Sequence, residues 1–320
     1  MTTPRGPVML DVAGPDLDAE DRRRIAHPLV GGVILFSRNY ESPRQLRALT
    51  DSIRASRDPA PLIGVDHEGG RVQRFRDGFS GVPAMRTLGE AWDRDADLAV
   101  ADAERWGGII GAELAAQGID FSFTPVLDLD YGKSAVIGDR AFHRDPGAVA
   151  DLASALCQGL ALRGVAAVGK HFPGHGFVRG DSHDEIPVDE RPLAALERDD
   201  LLPFGALIAR RRLQAIMPAH VVYPSIDDVP AGFSRVWLLD ILRKRLAFDG
   251  MIFSDDLSMA AAHGAGDIVA RADAALAAGC DMVLVCNDPA AIDDLLARWH
   301  PASNPQLARR ARAMERRPLR

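Results

Sequence analysis

A polar, glycine-rich segment with three histidines follows an apolar run and is the part of the chain best suited to chemistry. Residues 170–183 read Lys-His-Phe-Pro-Gly-His-Gly-Phe-Val-Arg-Gly-Asp-Ser-His and come directly after the apolar residues 164–168. Glycine and proline do not continue a helix, so we expect a strand followed by a mobile loop over residues 173–180. Asp181 and His183 stand two residues apart, which in an extended backbone points both side chains the same way. The carboxylate can then orient the imidazole as a tunable proton donor.

Two adjacent carboxylates end another apolar run. Asp255 and Asp256 follow residues 251–253 within Phe-Ser-Asp-Asp-Leu-Ser-Met. A carboxylate at the end of a buried strand can act as a nucleophile, and Asp255 is the candidate. An isolated Asp-Asp pair more often caps the next helix, but its expected convergence with the histidine segment favours the catalytic interpretation.

A further set of acidic and basic residues suits a ligand with several hydroxyls. Asp66 and Arg74 are the ends of Asp-His-Glu-Gly-Gly-Arg-Val-Gln-Arg, and Arg140 lies in a later loop, Gly-Asp-Arg-Ala-Phe. A carboxylate accepts two hydroxyl hydrogen bonds and a guanidinium donates in a fixed fork, so Asp66 and Arg74 could hold one edge of a sugar ring. A lone arginine is more often part of a surface ion pair.

The histidines also allow a metal hypothesis. His171, His175 and His183, together with Asp181, offer ligands suited to Zn²⁺ or Fe²⁺. No helical i, i+4 ligand pair makes their spacing specific for a metal. We therefore expect no metal and no cofactor, with a metal-dependent barrel hydrolase as the alternative.

Composition limits the classes of function. The 320 residues are 47% hydrophobic and 26% charged, as in an ordinary globular protein, and the net charge of -7 gives no electrostatic reason to bind nucleic acid or an anionic membrane. The three cysteines show no pairing pattern and are expected to be buried free thiols in a reducing compartment. The N-terminal residues lack the apolar stretch of a signal peptide, and no apolar run reaches membrane-spanning length. A cytoplasmic protein follows.

Short apolar runs alternate with longer segments of helical periodicity. Such short, continuously apolar runs are typical of parallel strands buried on both faces, and eight of them predict an α/β fold, a single-domain TIM-like (β/α)8 barrel over residues 1–320. An open doubly wound sheet is the alternative, but no glycine-rich phosphate-binding motif follows the first strand. The polar, Arg-rich segment from about 303 to 320 is expected to be solvated. The predicted strands are 8–12, 30–36, 62–65, 121–127, 165–168, 215–218, 251–253 and 282–285.

Polar residues follow most of these runs. Because the carboxyl ends of barrel strands meet at one face, these residues should share one pocket although they are far apart in sequence. The residues are Asp66, Asp128, Lys170, His171, His220, Asp255 and Asn287.

The motifs of this chain resemble those of a known family. Residues 170–176, Asp181-Ser182-His183 and residues 253–259 are similar to the β-N-acetylhexosaminidases of glycoside hydrolase family three, of the NagZ type that acts in peptidoglycan recycling. The similarity extends over nearly the whole chain, through residues 31–39, 66–74, 118–120, 125–128 and 248–250. One departure is His67, where the family is expected to have glutamine, and this puts the local hydrogen bonding in question.

The resemblance implies a role for each matching position. Asp255 corresponds to the family nucleophile, and His183 to its acid/base, oriented by Asp181. The residues that correspond to those binding the N-acetylglucosamine unit are Asp66, Arg74, Arg140, Lys170 and His171. The resemblance also implies a barrel without the second domain of larger relatives, and a small carbohydrate, a GlcNAc-containing muropeptide, as the binding partner.

The reaction this implies is retaining hydrolysis through a covalent glycosyl-aspartate, with His183 in place of the usual second carboxylate. An imidazole pKa near 6.5 suits a group that first protonates the leaving oxygen and then activates water. The nearest alternative is a β-N-acetylglucosaminide phosphorylase using the same intermediate, since a neutral histidine repels phosphate less than a carboxylate does. A catalytically silent sugar-binding barrel would give no reason for a nucleophile beside a His-Asp pair.

Overall fold

Eight parallel strands close into a barrel in the computed structural model, which describes residues 5–180 and 186–317. Each strand pairs with its neighbours along the chain, and the last pairs with the first. The predicted α/β class, a single-domain (β/α)8 barrel, is therefore confirmed, and the open sheet is excluded. The strands are β1 (Val8–Asp11), β2 (Val30–Leu35), β3 (Leu62–Val65), β4 (Phe121–Ser122), β5 (Ala166–Phe172), β6 (Ala215–Pro218), β7 (Met251–Asp256) and β8 (Met282–Val285).

Three strand predictions were wrong in length by several residues. The fourth was expected over residues 121–127, but β4 ends at Ser122; Pro125 cannot donate to a ladder, and only Val126 forms an isolated bridge, to Lys170. The fifth and seventh strands are longer than expected. They extend to Phe172 and Asp256 and so include functional candidates within the sheet.

Helices surround the barrel, and several of them begin at side-chain caps. Asp95, Asp145, Asp267 and Asp288 each accept a hydrogen bond from a backbone N–H in the first turn of the following helix. The helices are α1 (Ala19–Ile25), α2 (Pro43–Ala55), α3 (Met85–Trp92), α4 (Ala96–Ala116), α5 (Pro146–Leu162), α6 (Leu193–Arg198), α7 (Leu201–Ala209), α8 (Ile268–Ala278), α9 (Pro289–Arg298) and α10 (Leu307–Met314), with a π-helix at Val236–Arg245. None of the helices in the described ranges is long and apolar enough to cross a membrane.

Side chains alternate between two buried layers along each strand. Val8 and Leu10 face outward to the layer shared with the helices, whereas Met9 between them belongs to the cluster that fills the barrel. Phe121 and Phe253 stack inside that cluster with ring centroids 5.3 Å apart. The three cysteines are buried and free, as predicted.

The expectation of a solvated C-terminal segment was wrong for its described part. Helix α10 buries Leu307, Ala311 and Met314 in the same cluster that fills the barrel. Its Arg310 donates to the buried Asp281 at 2.7 Å. The segment carries its apolar residues on one face, so its arginine-rich composition hid an amphipathic helix.

Candidate active site

A pocket of about 470 Å³ opens at the carboxyl ends of the strands. Six of the eight residues predicted for the site line it: Asp66, Arg74, Arg140, Lys170, His171 and Asp255. The other two, Asp181 and His183, lie outside the described residues. Of the seven residues predicted from the strand ends to share one pocket, five line this cavity: Asp66, Lys170, His171, Asp255 and Asn287. The other two, Asp128 and His220, are buried and do not line it.

Strand periodicity explains why Lys170 and Asp255 face the interior. Val168 on β5 and Phe253 on β7 belong to the cluster inside the barrel. Lys170 and Asp255 stand two residues further along the same strands, and a period of two keeps them on the same side. The apolar filling of the barrel therefore gives way to charged groups at its mouth.

A chain of ion pairs forms one wall of the pocket. Lys170 Nζ lies 2.6 Å from Asp66 Oδ1 and 2.6 Å from Glu68 Oε1. Arg140 donates to both oxygens of Glu68, at 2.8 and 2.9 Å, and Arg74 lies 3.4 Å from Asp66 Oδ2. Three cations thus hold two carboxylates in fixed orientations.

These pairs keep both carboxylates ionised. Burial alone would raise the pKa of Glu68, but Arg140 and Lys170 outweigh it and hold that pKa well below its usual range. The pKa of Asp66 is also lowered, because Lys170 and Arg74 together exceed the effect of burial. Both groups therefore act as hydrogen-bond acceptors, not as proton donors, near neutral pH.

Glu68 was missed as a site residue by the sequence analysis. It lies in a short antiparallel hairpin formed by residues His67–Gly69 and Val72–Gln73. Glu68 stands two residues after Asp66, so an extended backbone puts both carboxylates on one side. The Asp-x-Glu alternation was the signal that could have identified it.

His67 faces the other side of this hairpin. Its ring packs against Phe75 and Phe79, at centroid distances of 5.7 and 5.6 Å, and is 0% exposed. Burial lowers its pKa to about 4, and neither ring nitrogen has a hydrogen-bond partner within the described ranges. Because His67 does not line the pocket, its departure from the family pattern leaves the position of Asp66 intact.

Asp128 orients the histidine at the end of β5. Its Oδ2 lies 2.7 Å from His171 Nδ1, and its Oδ1 accepts from the backbone N–H of His175 at 2.6 Å. Burial would raise the pKa of Asp128, but His171 more than offsets that effect and the pKa is lowered. With Nδ1 engaged, Nε2 is the nitrogen of His171 left for a ligand.

Two more histidines lie close to the site. His175 lines the pocket, and burial lowers its pKa. His220, predicted for the mouth, is fully buried, with Nε2 3.2 Å from the backbone oxygen of Asp256 and its ring stacked on Phe233. Burial lowers its pKa as well, so it is a neutral packing residue beside the mouth.

The two adjacent carboxylates of β7 have different surroundings. Asp256 accepts hydrogen bonds from Ser258 N, Ser258 Oγ and Cys286 N, at 3.0, 2.7 and 3.1 Å. Asp255 Oδ1 accepts from the backbone N–H of Asp256 at 2.8 Å, while its Oδ2 accepts no hydrogen bond from the residues described. Burial raises the pKa of Asp256 to about 6. Asp256 thus fits the local-capping interpretation, whereas Oδ2 of Asp255 has no donor among residues 5–180 and 186–317.

The metal hypothesis requires a cluster of ligating side chains. The described residues include no group of three or more His, Cys, Asp or Glu side chains that could hold a metal ion. Two of the four proposed ligands, Asp181 and His183, lie outside the described ranges, so the hypothesis is left to a direct experiment.

Comparison with known proteins adds independent information. The family model for the glycosyl hydrolase family 3 N terminal domain matches residues 8–308. A β-hexosaminidase from Chromobacterium violaceum is 62% identical over 314 residues, which are 98% of this chain and 88% of that protein. The crystal structure of NagZ from Neisseria gonorrhoeae in complex with N-trifluoroacetyl-D-glucosamine is 52% identical with a TM-score of 0.94, covering 98% of this chain and 91% of the other. A structure of NagZ from the same organism in complex with zinc ion is 51% identical, with a TM-score of 0.93, covering 98% of this chain and 91% of that one.

Proposed function

Because the chain belongs to glycoside hydrolase family 3, we propose that it is a retaining β-N-acetylhexosaminidase that removes N-acetylglucosamine from the non-reducing ends of muropeptides. The observation that carries the proposal is the pocket itself, which is lined both by Asp255, whose Oδ2 accepts no hydrogen bond from the described part of the chain, and by a wall of ion-paired polar groups. The relatives named β-hexosaminidase, about 60% identical over nearly the whole chain, support this activity.

The sugar would be held by the ion-paired wall. Asp66 would accept from sugar hydroxyls, because its lowered pKa keeps it ionised. Lys170, Arg74 and Arg140 would donate to hydroxyls and to the acetamido oxygen. Since Arg140 and Lys170 are already oriented by Glu68, little conformational entropy remains to be lost when the sugar binds.

Asp255 would be the nucleophile. Its Oδ2 would attack the anomeric carbon, forming a C–O bond to the enzyme as the bond to the leaving oxygen breaks. The backbone N–H on Oδ1 fixes the direction of the other oxygen. Asp256, occupied by Ser258 and Cys286, would support the strand end rather than react.

His183 would supply and then recover one proton. In the first step its imidazolium gives a proton to the leaving oxygen, and in the second the neutral ring takes a proton from the water that attacks the anomeric carbon. Asp181 would orient the ring. Asp255 leaves in the second step, so the enzyme returns to its starting state and needs neither a metal nor a cofactor.

The peptidoglycan substrate and a cytoplasmic location belong to this proposal. Removal of N-acetylglucosamine from small, soluble muropeptides is a reaction of cell-wall recycling, which fits a pocket for one sugar unit. The aglycone would extend beyond the pocket mouth. The NagZ structure from Neisseria gonorrhoeae, 52% identical and in complex with N-trifluoroacetyl-D-glucosamine, supports a glucosamine-type sugar as the ligand.

A hydrolysis panel tests the function. It compares an aryl β-N-acetylglucosaminide, an aryl β-glucoside and a muropeptide at equal concentrations. Groups matched to the acetamido unit are left unpaired by glucose, so we expect at least about a hundredfold preference in kcat/KM for the N-acetylglucosaminide. Comparable rates on the glucoside would overturn the hexosaminidase assignment while leaving the retaining mechanism intact.

The same assay separates the chemical alternatives. Product identification in phosphate and in a non-coordinating buffer distinguishes hydrolysis from phosphorolysis, and we expect the free sugar in both. Chelator treatment should leave the rate unchanged. Loss of activity with a chelator and its recovery on adding Zn²⁺ would establish the metal-dependent alternative, a test made pertinent by the zinc complex of the Neisseria gonorrhoeae relative.

A further inference from the structure

Phe177 lies just before the segment that carries Asp181 and His183, and its ring is enclosed by three side chains. Lys133 Nζ is 3.6 Å from the ring centroid, and the guanidinium of Arg191 is 4.0 Å from it. Tyr131 meets the ring edge-on at 5.1 Å. A phenyl ring in contact with two cations is held by directional cation–π attraction in addition to apolar contact.

Arg191 follows the same segment and is itself fixed. Its guanidinium donates to Asp189 at 2.7 Å, to Asp200 at 2.8 Å and to the hydroxyl of Tyr131 at 2.8 Å. Asp189 and Asp200 are each 1% exposed. Arg191 therefore has little freedom to leave the ring of Phe177, in contrast to a solvent-exposed cation.

The backbone is anchored on both sides of the segment as well. The carbonyl of Gly174 accepts from the Tyr223 hydroxyl at 2.6 Å, and a Cβ at Gly176 would collide with the backbone oxygen of Leu129. After the segment, Asp189 N donates to Val222 O at 2.9 Å. The entry and the exit of residues 178–188 thus rest on the barrel, and the Phe177–Arg191 contact joins them to each other.

We propose that Phe177 and Arg191, with Lys133 and Tyr131, form a clasp that positions the segment bearing the acid/base pair. The clasp residues act through that segment and are positioning residues. This inference rests on the proposed function, because it assigns to the segment the proton donor of the glycosidase reaction. A clasp that fixes both ends limits the positions His183 can occupy relative to Asp255, which is the geometric requirement for proton transfer to the leaving oxygen.

The clasp predicts an effect that depends on the leaving group. The value of kcat/KM reports the reaction up to transfer of the sugar to Asp255. A poor leaving group needs a well-placed proton in that step, whereas an activated aryl group departs without one. A loosened clasp should therefore lower the rate for substrates with poor leaving groups and leave the rate for activated substrates almost unchanged. Sugar binding by Asp66 and Lys170 should change little, because neither residue belongs to the clasp.

The test replaces the ring while keeping its apolar bulk. Phe177→Leu is compared with Phe177→Tyr, which retains the aromatic face, and with Phe79→Leu, a half-buried aromatic outside the pocket lining. Each variant is assayed on aryl β-N-acetylglucosaminides spanning a wide range of leaving-group pKa. Lys133→Gln is a second probe of the clasp, and because Lys133 is exposed this change should not affect folding.

We expect Phe177→Leu to lower kcat/KM for the poorest leaving group by about tenfold or more, with less than about threefold loss for the most activated one. Phe177→Tyr should restore the wild-type pattern, and Lys133→Gln should give a weaker version of the Leu pattern. A loss that is equal across the series, or equal to that of Phe79→Leu, would overturn the clasp. If Phe177→Leu fails to fold, a flat profile for Lys133→Gln overturns it instead. Absence of activity in the wild-type protein would remove the proposed function along with the clasp, so the two failures are distinguishable.

Discussion

Arg140 donates two parallel hydrogen bonds to Glu68, at 2.8 and 2.9 Å, and the carboxylate is 1% exposed. This fork–fork pair lies at the edge of the proposed sugar site, and Lys170 near the carboxyl end of β5 also pairs with Glu68. Glu68 therefore orients two of the proposed sugar-binding cations, Arg140 and Lys170.

Replacing Glu68 by glutamine should weaken both the fold and the sugar site. Removing one charge from a buried network leaves its partner cations uncompensated, which typically costs about 3–5 kcal/mol. We expect a lower melting temperature and a raised KM for the N-acetylglucosaminide. The matched control is Asp139→Asn, which removes an exposed ion pair with Arg71 and should change neither quantity appreciably. Equal effects of the two substitutions would contradict the supporting role of Glu68.

Asp255→Asn should fold normally and lose nearly all turnover, because an amide oxygen cannot form the glycosyl ester. In the wild-type protein, a 2-fluoro or other slow substrate should trap a covalent adduct on Asp255, which peptide mass spectrometry locates. Asp256→Asn is the neighbouring control, and its effect should come through stability, since Asp256 accepts from Ser258 and Cys286. An adduct on Asp256, or activity that survives the loss of Asp255, would refute the nucleophile assignment.

His183→Ala should affect substrates according to their leaving groups. Rates should fall most for leaving groups that need protonation and much less for an activated aryl group in the first step. Asp181→Asn should give a milder form of the same pattern, because it disturbs the orientation of the imidazole without removing it. A uniform loss across the leaving-group series would assign His183 to binding or structure.

His67 should make the fold sensitive to acid. Its pKa is lowered by burial to about 4, against about 6.5 in an unfolded chain, so the unfolded state binds more protons below about pH 6.5. The contribution of His67 to the free energy of unfolding is fully present above about pH 6.5 and is lost as the pH falls towards 4. The loss reaches about 2 kcal/mol at pH 5.

His67→Gln should remove this contribution, because glutamine does not titrate. Urea unfolding at pH 7 and pH 5 measures the effect as a smaller stability difference between the two conditions. Burial also lowers the pKa values of His175 and His220, which remain in the variant. Part of the change of stability with pH should therefore remain. His300→Gln, a change at an exposed position, is the control. An unchanged difference in the His67 variant would show that the ring is hydrated or accessible in solution.

The barrel and most of the site could be predicted because they depend on local periodicity. The run before Asp255 and the run before Lys170 are apolar and short, which is enough to predict buried parallel strands and to place both side chains at one face. The exact strand ends could not be obtained in this way. Residues 169–172 are polar or mixed in character, yet β5 continues through them because neighbouring backbone groups complete its ladder.

Features that depend on contacts between residues far apart in the chain could not be predicted from the sequence. Nothing in the spacing of Phe177 and Arg191 indicates that their side chains meet, because the contact depends on where the barrel puts the two ends of an intervening segment. The support of Lys170 by Glu68 was hidden for the same reason. The burial of α10 depends on the open base of the barrel, which no local pattern reveals.

Packing of α10 against one end of the barrel affects how the chain can fold during its synthesis. Met314 packs among residues inside the barrel, Arg316 N donates to Asp120 at 3.0 Å, and Arg5 pairs with Glu315 at 2.6 Å. The apolar residues at this end of the barrel therefore stay exposed to water until α10 has been synthesised and has packed against them. A nascent chain that stops before α10 would leave the apolar partners of Leu307, Ala311 and Met314 uncovered, which is the kind of exposed surface that makes partly folded chains prone to aggregation.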